Sequence, residues 1–101
     1  MRLLRTIVER IKHGYKIAEE CYLAGGTRDS DIVRFKDRKI EIFMERQPGK
    51  PSMLIYPSKN RRWLPPHEHD PVSDADYSFV IDAVVKHYEQ RGEMVELRPP
   101  H

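Results

Sequence analysis

Apolar residues recur three or four positions apart from Leu4 through Ile7, Val8, Ile11, Tyr15 and Ala18 to Tyr22. That spacing lines them along one face of a helix. It predicts an N-terminal helical unit over residues 1–24, helical across 3–22 and weakened at Gly14. Gly25-Gly26 supplies the stop, because glycine tolerates the left-handed backbone that ends many helices. From Ile32 to Arg46 the pattern changes to β-branched and aromatic residues, and Ile40, Ile42 and Met44 alternate with Glu41 and Glu45. This alternation predicts a hairpin broken at Asp37-Arg38. Pro48-Gly49-Lys50-Pro51 marks a second turn. A third strand over 52–56, closed by Pro57, completes a β-meander across 32–56.

Residues 57–72 hold Pro57, Pro65, Pro66 and Pro71. Proline fixes its own dihedral and removes an amide donor, so the stretch is expected to be an irregular loop. Ser73 then offers a capping hydroxyl, with Asp74 and Asp76 in the first turn where the helix dipole is positive. Tyr77, Val80, Ile81, Val84 and Tyr88 give the apolar stripe of a helix over 73–91, ended by Gly92. Residues 94–97 read as a last strand. The expected order is α-β-β-β-α-β: an α+β fold in which an antiparallel sheet of about four strands carries two helices on one face, as a single domain over 1–101.

Composition narrows the class. With 39% hydrophobic and 34% charged residues and a mean hydropathy of −0.72, the chain is strongly solvated but not apolar-poor enough for disorder. Its longest apolar runs, such as Met53-Leu54-Ile55-Tyr56, fall far short of the roughly 18–20 residues a membrane span needs. Glu9, Arg10 and Lys12 interrupt any signal-peptide apolar core, so a cytoplasmic protein is expected. Cys21 is the only cysteine. It excludes an intramolecular disulfide and reads as a small buried hydrophobe.

The sequence carries no recognised catalytic motif. His67-Glu68-His69-Asp70 holds imidazoles and carboxylates, but it sits among prolines and lacks a distant partner set to complete a tetrahedral metal site. Gly25-Gly26 lacks the Lys-Ser/Thr of a phosphate-cradling loop. No enzyme, metal or cofactor is expected. Charge says more. From Leu64 to Val85 there is no Lys or Arg, and Glu68, Asp70, Asp74, Asp76 and Asp82 supply five negative charges; against a total of +2, the rest of the chain carries about +7. The expected function is therefore binding of a basic protein partner, with Glu68, Asp70, Asp74 and Asp76 as the acidic contacts and Arg62 or Trp63 as an anchor where exposed. The alternative is a small nucleic-acid-binding module that uses Arg2, Arg5, Arg10, Lys12 and Lys16 of the first helix with Arg61-Arg62-Trp63.

Five elements together resemble small bacterial immunity proteins. They are Lys39-Ile40-Glu41-Ile42-Phe43-Met44-Glu45, Met53-Leu54-Ile55-Tyr56, Arg62-Trp63-Leu64-Pro65-Pro66, the Ser73-led helix, and Gly92-Glu93-Met94-Val95-Glu96-Leu97. The match is to the immunity protein 74 type of polymorphic-toxin and contact-dependent growth inhibition systems, across roughly residues 32–97. The resemblance implies a protein that binds the C-terminal domain of a cognate toxin, often a nuclease, and occludes its active site.

Overall fold

The computed structural model describes residues 14–98. Among these residues six strands run in sequence order through one sheet: β1 (Tyr15–Ala18), β2 (Cys21–Thr27), β3 (Ser30–Phe35), β4 (Arg38–Arg46), β5 (Met53–Tyr56) and β6 (Val95–Leu97). The first five pair antiparallel as a meander. β6 returns parallel to β5 after helix α1 (Asp74–Gln90) has crossed one face of the sheet. A parallel pair needs such a crossover, which a tight turn cannot provide.

This architecture corrects the expected four-stranded antiparallel sheet with two helices and the order α-β-β-β-α-β. The predicted first helix divides into two parts. Residues 3–13 lie outside the described residues, and residues 15–22 form the β1–β2 hairpin, with Tyr15 opposite Leu23 and Ala18 opposite Cys21. The segment satisfies two periodicities at once. Tyr15, Ala18 and Tyr22 are helically spaced, while Tyr15 and Ile17, and Cys21 and Leu23, alternate as a strand face requires. Pairing decides between them, because β2 lies against β3 and sets Cys21 opposite Phe35 and Leu23 opposite Val33. Glu20, at φ 54°, makes the left-handed turn between the two strands. Gly25 and Gly26 lie inside β2 and stop no helix. At Gly26 a side chain is sterically excluded, since a Cβ would stand 2.4 Å from the Ser30 carbonyl oxygen.

The core lies between the sheet and α1. Val33 and Phe35 on β3, Ile40, Ile42 and Met44 on β4, and Met53 and Ile55 on β5 all face the helix, which answers with Tyr77, Val80, Ile81, Val84 and Tyr88. Each fully buried aliphatic contributes about 1.5–3 kcal/mol relative to exposure. The proline-rich loop also enters this core. Trp63 is only 4% exposed, and the Leu64 amide donates to the Lys39 carbonyl at 2.7 Å, fastening the loop to the start of β4.

Candidate partner-binding surface

The acidic stretch owes its shape to a buried anchor. The Trp63 indole N–H donates to the Pro71 carbonyl at 3.3 Å, and Arg62 and Pro71 form an isolated backbone bridge. The two limbs of the loop are thereby held together. Between them the chain makes two successive turns, with the His67 amide on the Leu64 carbonyl at 3.1 Å and the Asp70 amide on the His67 carbonyl at 3.0 Å. Ser73 then caps α1 by accepting from the Asp76 amide at 3.1 Å. Tyr77, one turn into the helix, accepts from the Ser58 amide through its hydroxyl at 2.8 Å, which ties the loop's first residues to the helix start.

This framework brings Glu68, Asp70, Asp74 and Asp76 onto one short stretch of loop and first helical turn. Asp70 is bound by Arg38 at 2.5 Å, and Asp74 is bound by Arg61 while its side chain stays 91% exposed. Arg61 also lies over the Tyr77 ring, 4.7 Å from its centroid. Asp76 is half-buried at the cap. Glu68 turns one carboxylate oxygen inward, where no described residue hydrogen-bonds it. Arg62 is exposed beside this group, whereas Trp63 lies in the core beneath it. The tryptophan therefore supports the surface from below and offers it almost no exposed area. The result is a surface of alternating sign in which Arg38 and Arg61 partly offset the carboxylates. Sequence reasoning missed both pairings. Arg38 is 32 positions from Asp70, and no local pattern links them.

The other sequence candidates fall elsewhere. His69 is 92% exposed in its side chain, with Nε2 3.9 Å from Glu68 Oε1, and among the described residues no group of three or more His, Cys, Asp or Glu is placed to hold a metal ion. Burial of Trp63 removes the stacking platform that the nucleic-acid alternative requires. Of the basic residues assigned to the first helix, Lys16 lies on β1, and Arg2, Arg5, Arg10 and Lys12 lie outside the described residues. Burial pushes the Cys21 thiol up to about 11, so it stays protonated and unreactive.

A second polar cluster, unforeseen in the sequence, lies at the far end of α1. A cleft of about 510 Å³ is lined by Tyr15, Arg46, His87, Tyr88, Arg91 and Glu93, together with Leu23. Tyr88 donates to Asp31 at its inner side, and Arg46 pairs with Glu93 at 3.2 Å. Burial holds the Asp31 carboxyl above its ordinary range. Burial and then Asp31 hold the Tyr88 phenol far above its own, so it remains a donor. His87 is pushed down, first by burial and then by the Arg91 charge. The Tyr88–Asp31 bond ties the helix to the sheet, and the Arg46–Glu93 pair ties β4 to the segment that precedes β6.

A family model described as immunity protein 74 matches residues 24–98, three-quarters of the chain, from the middle of β2 through the acidic surface to the end of β6. Comparison with the curated proteins and with the solved structures gives no match.

Proposed function

The chain belongs to the immunity protein 74 family, and from that premise we propose that it neutralises its toxin through the loop-and-helix surface of Arg62, Glu68, Asp70, Asp74 and Asp76. An immunity protein has a cognate toxin protein as its partner. The toxin in this reading is the C-terminal domain of a polymorphic or contact-dependent inhibition effector, a nuclease with a basic substrate-binding face. The acidic surface covers that face in the cytoplasm of the producing cell. Binding alone achieves this, with no reaction catalysed by the immunity protein.

The observation that carries the reading is the combination of exposed charge with a fixed backbone. Asp74 stands 91% exposed at the first turn of a capped helix, over a loop pinned by Trp63. Carboxylates presented this way lose little freedom on docking, which lowers the ordering cost of association. Their pairs with Arg38 and Arg61 do not oppose it, since exposed ion pairs are worth only about 0–1 kcal/mol and exchange readily for a partner's lysine or arginine. Complementary charge then speeds encounter and rejects wrong partners. Arg62, exposed beside the carboxylates, is suited to the central anchoring role.

The test is binding to the toxin domain encoded beside this chain. Joint charge reversal, Asp70→Lys with Asp74→Lys, is expected to weaken affinity by about a hundredfold, as loss of contacts worth about 2–3 kcal/mol would. The same variant should still unfold in a single cooperative transition, which separates lost contacts from lost folding. Unchanged affinity in a folded double variant would remove this surface from the interface.

A further inference from the structure

We propose that the toxin adds an extended segment to the open edge of β6 and seats an apolar side chain in the cleft between β6 and α1. This inference rests on the toxin-binding reading and deepens it by naming the form of the contact.

β6 is the last strand of the sheet, and among the described residues nothing pairs with its outer edge. Its backbone polarity is set by its pairing with β5. The Met94 carbonyl accepts from the Met53 amide at 3.2 Å, and the Arg98 amide donates to the Ile55 carbonyl at 2.9 Å. Alternate residues of a strand direct their N–H and C=O to opposite edges. Val95 and Leu97 therefore turn both groups outward, offering two donors and two acceptors in the spacing an incoming strand needs. Such edges are usually blunted by lysine, proline or an inward-pointing charge. Here the charged pair Glu96–Arg98 lies on the sheet face opposite the helix, so the helix side of the edge is left apolar.

That side opens into a cleft of about 370 Å³ lined by Pro57, Tyr77, Ile81, Val85 and Leu97. Leu97 is 49% exposed, a large apolar group standing at the mouth of the cleft. The rim is acidic. Ser78 and Asp82 also line the cleft, and Asp74, Ser78 and Asp82 are spaced four apart, which stacks them in one row along the helix. The row begins in the acidic surface already described, so the two form one continuous face. Charge complementarity thus specifies the occupant: an extended toxin segment with an apolar residue for the cleft and a lysine or arginine beside it for Asp82. Asp82 meets Lys86 at 2.9 Å across an exposed pair, which a partner cation can displace at little cost. Main-chain pairing gives such an interface its affinity, and the pocket gives it selectivity.

Backbone amide exchange, followed residue by residue in the whole chain with and without a catalytically inactivated toxin domain, tests the inference. The Val95 and Leu97 amides should exchange freely in the unbound protein and at least about tenfold more slowly in the complex. Leu97→Asp should lower affinity about tenfold or more while retaining the wild-type circular dichroism spectrum. Tight binding that leaves both amides unprotected overturns the edge contact and leaves the neutralisation reading standing. Failure of the wild-type chain to bind the toxin overturns that reading and this one together. Protection that rises with protein concentration in the absence of toxin assigns the edge to a second copy of the chain and also overturns the inference.

Discussion

Tyr88, near the end of α1, donates its phenolic hydrogen to the carboxylate of Asp31 on β3 at 2.5 Å, joining helix to sheet across 57 positions of sequence. Asp31 alternates with Val33 and Phe35, so its side chain is directed into the core side of the sheet where the carboxylate is costly to desolvate. Tyr88→Phe strands that carboxylate without its donor and is expected to cost about 1–3 kcal/mol, read from the urea unfolding midpoint. The pH dependence has a definite sign. Because burial raises the folded pKa of Asp31 above its ordinary 3.8, its contribution to stability is full below that value and is lost as pH rises through the raised one. Asp31→Asn keeps an acceptor for Tyr88 and removes the charge. It should match or exceed wild-type stability at neutral pH, with the advantage vanishing in acid below the ordinary value.

His87 pulls the other way. Its ring packs 5.5 Å from Tyr15 and 4.9 Å from Tyr88, and its folded pKa lies below the ordinary 6.5 through burial and the Arg91 charge, with Asp31 opposing. The unfolded chain takes up this proton more readily, so stability should fall as pH drops from about 6.5 through the lower folded value. His87→Phe should flatten that segment of a stability–pH curve measured by thermal unfolding.

Trp63 tests the division between scaffold and contact. Trp63→Ala empties a core site and is expected to cost about 3–5 kcal/mol. Trp63→Phe keeps much of the packing but loses the hydrogen bond to Pro71, at a cost of about 1 kcal/mol for the bond itself. If the tryptophan acts only from beneath, the Phe variant should bind the toxin domain within about threefold of wild type, a difference of less than about 1 kcal/mol. A larger loss in titration calorimetry would place the indole in the interface.

Ser73 has a role at the same end of the helix. Its hydroxyl accepts from the Asp76 amide, so Ser73→Ala should destabilise the protein by about 1 kcal/mol, and Ser73→Asp should restore the cap. Equilibrium unfolding of the three proteins decides this, and equal midpoints for serine and alanine would count against the cap.

Local signals account for the parts of the fold whose cause is local. The Ser73 cap, the acidic first turn and the stripe from Tyr77 to Tyr88 stand on a helix running Asp74–Gln90, and the alternation at Ile40, Ile42 and Met44 lies on β4. Each depends on hydrogen bonds or burial within a few residues, which periodicity reports directly. The candidate site was legible to the extent that its carboxylates are neighbours in sequence. Their cationic partners were not, because Arg38 reaches Asp70 only after the loop has folded back across the start of β4.

Taken alone, the chain determined where α1 starts and stops, which face of β4 is apolar, that acid concentrates between Leu64 and Val85, and its likeness to immunity proteins. Tertiary structure decided the rest. Residues 15–22 carry apolar spacings compatible with either a helix or a hairpin, and only the unpaired edge of β3 made strand pairing the outcome. It also placed β6 parallel beside β5 and drew Trp63 into the core. Each of these choices is made by burial against residues distant in sequence, a free energy that exists only once the partners have met.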